Sequence, residues 1–204
     1  ATPRVSAKAS RLFRAKIKRF VEYVLRNSEK LFQKKKLIIL KNSYFSRSVE
    51  LRLFIKAKGK FWLDLSEPFV VPSLPIESSL RAQLHGMLLR GNEFEALLNH
   101  LIPFDIPKVF VEGFSAIHKE VRENAIKQPS AIFSANSWYY DEGFKQWAAA
   151  HADGGTLLLG AQHGGNYGSI ACHQYEDHEV SVTDMYYSWG WNKSHCRAKV
   201  VPLV

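Results

Sequence analysis

The chain has 204 residues, of which 46% are hydrophobic and 13% aromatic, which is the composition of a globular domain rather than a disordered chain. It contains no apolar run of about 18 residues, so no transmembrane helix is expected, and its two cysteines exclude a disulfide framework and a zinc knuckle. The net charge of +9 is uneven, because residues 1–60 carry 18 Lys and Arg against 3 Asp and Glu, whereas residues 61–204 carry 10 against 16.

The first predicted element is a basic amphipathic helix at residues 11–26, where apolar side chains recur at helical spacing and basic ones fill much of the remainder. It either packs on the body with a solvated charged face, or contacts an anionic membrane surface or nucleic acid. We therefore divide the chain into a basic helical extension, residues 1–36, and a domain, residues 37–204. No initiator Met or secretion signal is present and the chain stops on an apolar stretch, so we expect a cytoplasmic domain truncated at both ends.

The middle of the chain alternates between short apolar runs and amphipathic segments. Residues 37–40 have the length and the charged boundaries of a strand. Residues 48–59 fit either a strand or a short helix, and we favour the helix. Three further helices are predicted at residues 77–89, 92–101 and 106–125, the last with Pro107 in its first turn.

The last third of the chain predicts four strands, at residues 130–136, 156–162, 184–191 and 198–204. Helices are predicted between them at residues 140–155, which begin with acidic residues and stop at two glycines, and at residues 169–176. Short strands that alternate with helices indicate an α/β domain, in which a mostly parallel sheet is covered by helices on both faces.

Polar residues at the ends of the predicted strands form the candidate site, because ligands of open α/β sheets bind beyond the carboxyl ends of the strands. Asn42 follows the first strand, Asn136 ends the second, and Gln162 and His163 follow the third. We expect His163, Asn136 and Asn42 to meet at one edge of the sheet.

His163 is the strongest single candidate, because histidine can move a proton near neutral pH or bind an anion. The loop after it is rich in glycine, and Gly164, Gly165 and Gly168 would let a substrate approach the main chain closely. The same pattern also fits a tight strand-to-helix turn whose histidine bonds to nearby backbone. The loop matches neither G-x-x-x-x-G-K-[ST] nor G-x-G-x-x-G, so the common nucleotide fingerprints do not apply.

The stretch HQYEDHEVSVTD gathers further titratable residues. His173 and Asp177 are spaced i, i+4, but no further ligand spacing matches a zinc pattern, so no metal site is predicted. Glu176 is a carboxylate that could act as a base or orient His163.

Four segments of the chain resemble a bacterial family of surface-polysaccharide transferases of O-antigen and related gene clusters: FSANSWYYDEGFKQWAA, LLLGAQHGGNYGS, YEDHEVSVTDMYYSWGW and KVVPL. More distantly, the Gln-His-Gly element and the Trp-Gly strand resemble capsule polysaccharide biosynthesis proteins, including Kdo transferases. The resemblance covers about residues 130–204. It implies a GT-B architecture, in which two Rossmann-like domains face each other across a cleft, and makes this chain all or part of the amino-terminal, acceptor-side domain.

The resemblance also implies a site and a reaction. Gln162, His163, Gly164 and Gly165 match the family's cleft-lining loop, Asn166 and Tyr167 continue it, and Glu176 and Asp184 fall at its next acidic positions. The implied reaction transfers a sugar from a nucleotide-sugar, the co-substrate, to a glycan or lipid-linked acceptor without another cofactor. An inverting transfer needs a base for the acceptor hydroxyl and a polar partner for the leaving phosphate. We expect His163 in one of these roles with Glu176 as its helper, and no metal, because no DxD-type motif occurs.

Two other classes of function would use the basic amino-terminal part of the chain, residues 1–60. One is a nucleic-acid-binding module, although the acidic body and the absence of a nucleic-acid motif argue against it. The other is a non-catalytic scaffold at the periphery of the inner membrane, held there by residues 11–26.

Overall fold

The computed structural model describes residues 37–58, 60–64, 74–84, 91–123 and 128–203. The predicted basic helix at residues 11–26 lies outside these ranges. Within them, six strands form one sheet, and every neighbouring pair is parallel. The strands are β1 (Ile38–Lys41), β2 (Phe61–Asp64), β3 (Ala131–Ser134), β4 (Leu157–Ala161), β5 (Met185–Ser188) and β6 (Lys199–Pro202).

Helices connect most of these strands, as parallel pairing requires. In the described ranges they are α1 (Arg47–Lys56), α2 (Ser78–Ala82), α3 (Glu93–Asp105), α4 (Phe114–Glu123), α5 (Ser137–Tyr140), α6 (Glu142–Asp153) and α7 (Gln174–Val182). A 3₁₀ turn, Lys108–Phe110, precedes α4. Two side chains cap the later helices: Asp141 accepts a hydrogen bond from Phe144 N–H at the start of α6, and His173 Nδ1 accepts one from Glu176 N–H at the start of α7.

The strand order is β2-β1-β3-β4-β5-β6. The chain therefore moves one way along the sheet from β1 to β2 and the other way from β3 to β6. Because parallel connections are right-handed, this reversal places α1 and α6 on opposite faces of the sheet. The predicted α/β fold with a parallel sheet is confirmed, and the arrangement is Rossmann-like. The reversal leaves a crevice between the carboxyl ends of β1 and β3, which is where such sheets bind ligands.

The core lies where the central strands meet α5 and α6. Ile39 of β1, Ile132 of β3 and Leu158 of β4 stand side by side in register and are buried. Trp138 of α5 packs against them, with its ring 4.8 Å from that of Phe144. These side chains are branched or aromatic and apolar, so their burial holds the central strands, and with them the strand ends, in place.

Two predicted helices differ from the structure, and one strand was not predicted. Residues 106–125 do not form one helix, because the backbone turns at residues 111–113 between the 3₁₀ turn and α4. Strand β2 was not predicted, since its four residues directly follow a helical segment. The helix predicted at residues 169–176 instead begins at Gln174 and continues to Val182, because residues 164–171 form bends and turns and His173 caps the helix.

None of the helices in the described ranges is both long and apolar enough to cross a membrane.

Candidate functional site

Three loops meet at the carboxyl edge of the sheet, beside the crevice between β1 and β3. Asn42, after β1, donates a hydrogen bond of 2.8 Å to Ser137 Oγ, after β3. Asn136 Nδ2, in the same loop after β3, donates one of 3.2 Å to the hydroxyl of Tyr44. The ring of Tyr44 lies 5.6 Å, between centroids, from that of His163, after β4. The structure therefore brings His163, Asn136 and Asn42 to one edge, as expected, with Tyr44 between them.

Tyr44 and Asn42 adopt backbone conformations that non-glycine residues rarely take. Their φ angles are +61° and +46°. A bulky residue in this region is strained, and such strain is concentrated at functional sites. The Tyr44 side chain is nevertheless 65% exposed, so its burial does not explain the conformation. The loop after β1 thus holds an exposed aromatic ring over His163.

The imidazole of His163 contacts a buried carboxylate that the sequence analysis did not predict as part of the site. Its Nε2 lies 3.0 Å from Oε1 of Glu179, whose side chain is completely buried, while the His163 side chain is 14% exposed. The hydroxyl of Tyr167 lies 2.9 Å from the same His163 nitrogen and 3.4 Å from Glu179 Oε1. Tyr186 donates a hydrogen bond of 2.7 Å to the other oxygen, Glu179 Oε2. The histidine, the glutamate and the two tyrosines form one hydrogen-bonded cluster.

The two tyrosines remain hydrogen-bond donors across the ordinary pH range. Burial, followed by the neighbouring Glu179 carboxylate, raises the pKa of Tyr186 and that of Tyr167 well above the ordinary value. A neutral phenol beside a carboxylate donates its proton to the carboxylate. Glu179 is therefore a buried acceptor whose partners are all within the cluster, as a buried carboxylate requires.

Strand β4 makes room for this cluster. A Cβ added to Gly160 would lie 2.7 Å from Cδ2 of the Tyr186 ring and 3.2 Å from the Thr183 methyl group. The glycine therefore lets the Tyr186 ring pack closely against β4, with its hydroxyl at Glu179 on α7. His163 follows the same strand by two residues, so β4, β5 and α7 together fix the geometry around it.

The loop after His163 has an open part and a buried part. Gly165 and Asn166 are exposed, and a Cβ at Gly165 would meet nothing within 4 Å. Tyr167 turns inward to the cluster and is buried. Gly168 has a φ of +72°, and a Cβ there would overlap the Trp191 ring. Gly164 and Gly165 consequently remain open for a ligand to approach their main chain, whereas Tyr167 and Gly168 shape the loop.

Gln162 joins two of the loops at this edge. Its Oε1 accepts hydrogen bonds of 2.9 Å from Trp189 N–H and 2.8 Å from Trp191 Nε1–H, and its Nε2 donates to the Gly164 carbonyl at 2.8 Å. The side chain is buried. Gln162 therefore ties the loop after β5 to the loop after β4, and its polar atoms are engaged within the protein.

Glu176 does not occupy the place that the sequence suggested. Its oxygens accept hydrogen bonds from Gly168 N–H at 2.6 Å and from Lys193 Nζ at 2.8 Å, and the carboxylate that contacts His163 is Glu179, one turn later on α7. Lys193 also contacts Asp177 at 2.7 Å, and this hydrogen bond lowers the pKa of Asp177. Glu176 thus holds the glycine loop from the side instead of orienting His163.

Asp184 lies at the opposite edge of the sheet. It immediately precedes β5, and its carboxylate accepts a hydrogen bond of 2.8 Å from Leu158 N–H near the start of β4. Its other oxygen lies 3.2 Å from Arg197. The structure therefore does not bring Asp184 to the site around His163, and gives it a role in tying the amino ends of two strands.

No group of three or more His, Cys, Asp and Glu side chains within the described ranges is arranged to hold a metal ion. Of the two residues with ligand-like spacing, His173 is the cap of α7 and Asp177 pairs with Lys193.

Sequence reasoning missed three members of the site: Tyr44, Glu179 and Tyr186. Glu179 carried a usable signal, because it lies three residues after Glu176 and so on the same helical face. Tyr44 lies only two residues after Asn42. Its contact with Asn136 depends on β1 lying next to β3, which the sequence does not show. Tyr186 resembled an ordinary core aromatic.

The parallel sheet and the histidine-centred cluster at its carboxyl edge define a Rossmann-like α/β domain with a candidate catalytic site. Comparison with known families also identifies the family of the chain. The chain belongs to the LIC12162 family of transferases, whose family model matches residues 2–204. No match was found among curated proteins or among solved structures.

Proposed function

We propose that the chain is a glycosyltransferase domain that acts in the synthesis of bacterial cell-surface polysaccharide. It would transfer a sugar from a nucleotide-sugar to a glycan or lipid-linked acceptor on the cytoplasmic side of the membrane. The observation that carries the proposal is His163, a histidine backed by the buried Glu179 and facing the crevice edge in a chain of a transferase family. The resemblance of the segments around residues 130–204 to surface-polysaccharide transferases supports the choice of a sugar as the transferred group.

The proposed chemistry is a displacement at the anomeric carbon. The acceptor hydroxyl loses its proton to His163 as its oxygen forms the new bond to carbon, and the bond from that carbon to the nucleotide phosphate breaks. The leaving phosphate keeps the electron pair. Main-chain amides at Gly164 and Gly165, which are open to a ligand, are the groups that could bind a developing negative charge.

The proposal also gives the domain a place in a larger enzyme. In a GT-B arrangement this domain would receive the acceptor, and a second Rossmann-like domain would bind most of the nucleotide-sugar. The reversal of strand order between β1 and β3 supports this assignment, since it puts the crevice and the loops of Asn42, Asn136 and His163 on one side of the sheet.

The experiment uses the protein encoded by the complete gene, with a panel of nucleotide-sugars and membrane glycolipids as acceptors. Transfer is measured as nucleotide release that depends on the acceptor. We expect transfer with at least one donor and a loss of roughly 100-fold or more in kcat for His163→Ala, the contribution of a general base.

The matched control is His118→Ala, because His118 is an exposed histidine on α4 with a ring contact only to Phe114 among the described rings. It should leave transfer unchanged. Full transfer by His163→Ala would disprove the role of His163, and no transfer with any donor would disprove the glycosyltransferase proposal.

A further inference from the structure

Glu179 is the most completely buried charged side chain at the site. We propose that Glu179 is a positioning residue that holds neutral His163 with its proton on Nε2, so that Nδ1 is the atom that accepts the substrate proton. The tautomer follows from the structure alone. The role of Nδ1 as the proton acceptor rests on the proposed function.

His163 Nε2 lies 3.0 Å from Glu179 Oε1. A carboxylate oxygen is only an acceptor, so the nitrogen facing it must carry a proton for the contact to be attractive. Without that proton, the nitrogen lone pair would face a carboxylate lone pair at hydrogen-bond distance inside the protein, where electrostatic repulsion is poorly screened. The Nε2–H tautomer is therefore the stable neutral form.

The tyrosines are compatible with this tautomer. Tyr186 donates to Glu179 Oε2 and leaves Oε1 to the histidine. Tyr167, 2.9 Å from His163 Nε2 and 3.4 Å from Glu179 Oε1, can share the Nε2 proton as an acceptor while its own proton goes to Glu179. Every proton in the cluster then has an acceptor, and the Glu179 carboxylate faces donors only.

The opposite side of the imidazole ring remains available to a substrate. His163 Nδ1 has no hydrogen-bond partner among the described residues, and its lone pair points away from the buried Nε2 side. The exposed ring of Tyr44 lies 5.6 Å from the His163 ring, measured between centroids. When Nδ1 takes the proton of an acceptor hydroxyl, the positive charge that forms on the ring is stabilised by Glu179, 3.0 Å from the other nitrogen.

The test is the tautomer of His163, read from ¹⁵N chemical shifts of the folded protein with labelled histidine. The signal is assigned by its loss in His163→Ala, and the pH is raised until the ring is neutral. We expect the proton on Nε2 in the wild type. A proton on Nδ1, or equal amounts of the two forms, would overturn the proposal even if no variant of Glu179 folds.

Glu179→Gln tests the cause of this preference. Because Tyr186 requires an acceptor, the amide oxygen should face Tyr186 and the amide nitrogen should face His163, which moves the histidine proton to Nδ1. Glu176→Gln is the matched control, since it is the same change one turn earlier on α7, and Glu176 bonds to Gly168 and Lys193 instead. It should leave the tautomer of His163 unchanged. An unchanged tautomer in folded Glu179→Gln would contradict the proposal.

The activity of the same variant separates the two proposals. For Glu179→Gln we expect kcat to fall on the order of 100-fold, with the acceptor KM changed less than about threefold, because the substrate does not touch Glu179. If the protein carries the Nε2–H tautomer but transfers no sugar, the glycosyltransferase proposal is wrong and the tautomer assignment still holds. A normal kcat in Glu179→Gln would contradict the proposal that Nδ1 accepts the substrate proton.

Discussion

The side-chain amide of Asn136 donates a 3.2 Å hydrogen bond to the hydroxyl of Tyr44, and this bond joins the loop after β3 to the loop after β1. It spans the crevice at which the strand order reverses. Asn136 Oδ1 is buried and has no hydrogen-bond partner among the described residues. Tyr44 therefore contacts both His163 and Asn136.

Substitution of Tyr44 should separate its hydroxyl from its ring. Tyr44→Phe keeps the ring beside His163 but removes the hydroxyl to which Asn136 donates its hydrogen bond. We expect the KM for the glycan acceptor to rise about fivefold, the equivalent of one lost hydrogen bond. Tyr44→Ala also removes the ring, and its kcat/KM should fall further. Steady-state kinetics with varied acceptor would measure both. Equal kinetics for the wild type and Tyr44→Ala would show that Tyr44 has no part in the site.

The two glycines at positions 168 and 165 should respond very differently to alanine. Gly168→Ala places a side chain at a φ of +72° and against the Trp191 ring, so it should destabilise the protein by roughly 1–3 kcal/mol. Gly165→Ala meets open space, and its free energy of unfolding should change by less than about 0.5 kcal/mol. Urea denaturation measures both. The prediction is wrong if the two variants are equally stable.

Asp184→Ala should lower stability and spare the reaction. The change removes the acceptor for Leu158 N–H and the partner of Arg197 at the amino edge of the sheet, which should cost about 1–3 kcal/mol. Transfer per folded molecule should be unchanged, because the site lies at the carboxyl edge. A specific loss of kcat in folded Asp184→Ala would return this residue to the site.

The Arg81–Glu112 pair predicts an acid dependence of stability. Arg81 contacts Glu112 at 2.7 Å and lowers the pKa of that carboxyl from 4.5 to about 2, chiefly through the side-chain hydrogen bond. Because the folded pKa is the lower one, the stabilisation is fully present above pH 4.5 and is lost as the pH falls towards 2. Glu112→Gln should be less stable at pH 7 and should lose less stability on acidification. Thermal melts from pH 7 to 3 would show this, and parallel pH profiles for the two proteins would contradict it.

The sequence was most informative where one local rule decided the structure. Strands β3 and β4 are apolar runs bounded by polar and glycine residues, and the stop of α6 at Gly154 follows from helix-capping rules. Helix α7 was misplaced because the glycine loop continues to His173, whose ring caps the helix by a contact that spacing alone does not reveal. Glu176, rather than Glu179, was expected to help His163 because it falls at an acidic position of the resembled family.

The site was only partly predictable for a related reason. A parallel sheet explains why His163, just after β4, lies at the same edge as Asn42 and Asn136. The contact of Tyr44 with His163 depends on two residues with positive φ in the loop after β1, and that conformation is not typical of their residue types. Which of two carboxylates on one helix faces a histidine depends on the rotation of the helix, which sequence periodicity leaves undetermined within a turn.

Gly160 touches neither His163 nor Glu179, yet it sets where the Tyr186 hydroxyl can lie. Even a methyl group at this position would push the ring off β4 and move a donor away from the carboxylate. A glycine at position 160 thus serves both the packing of the sheet and the geometry of the cluster beyond its edge. Fewer sequences can preserve this site than the side chains lining it would suggest.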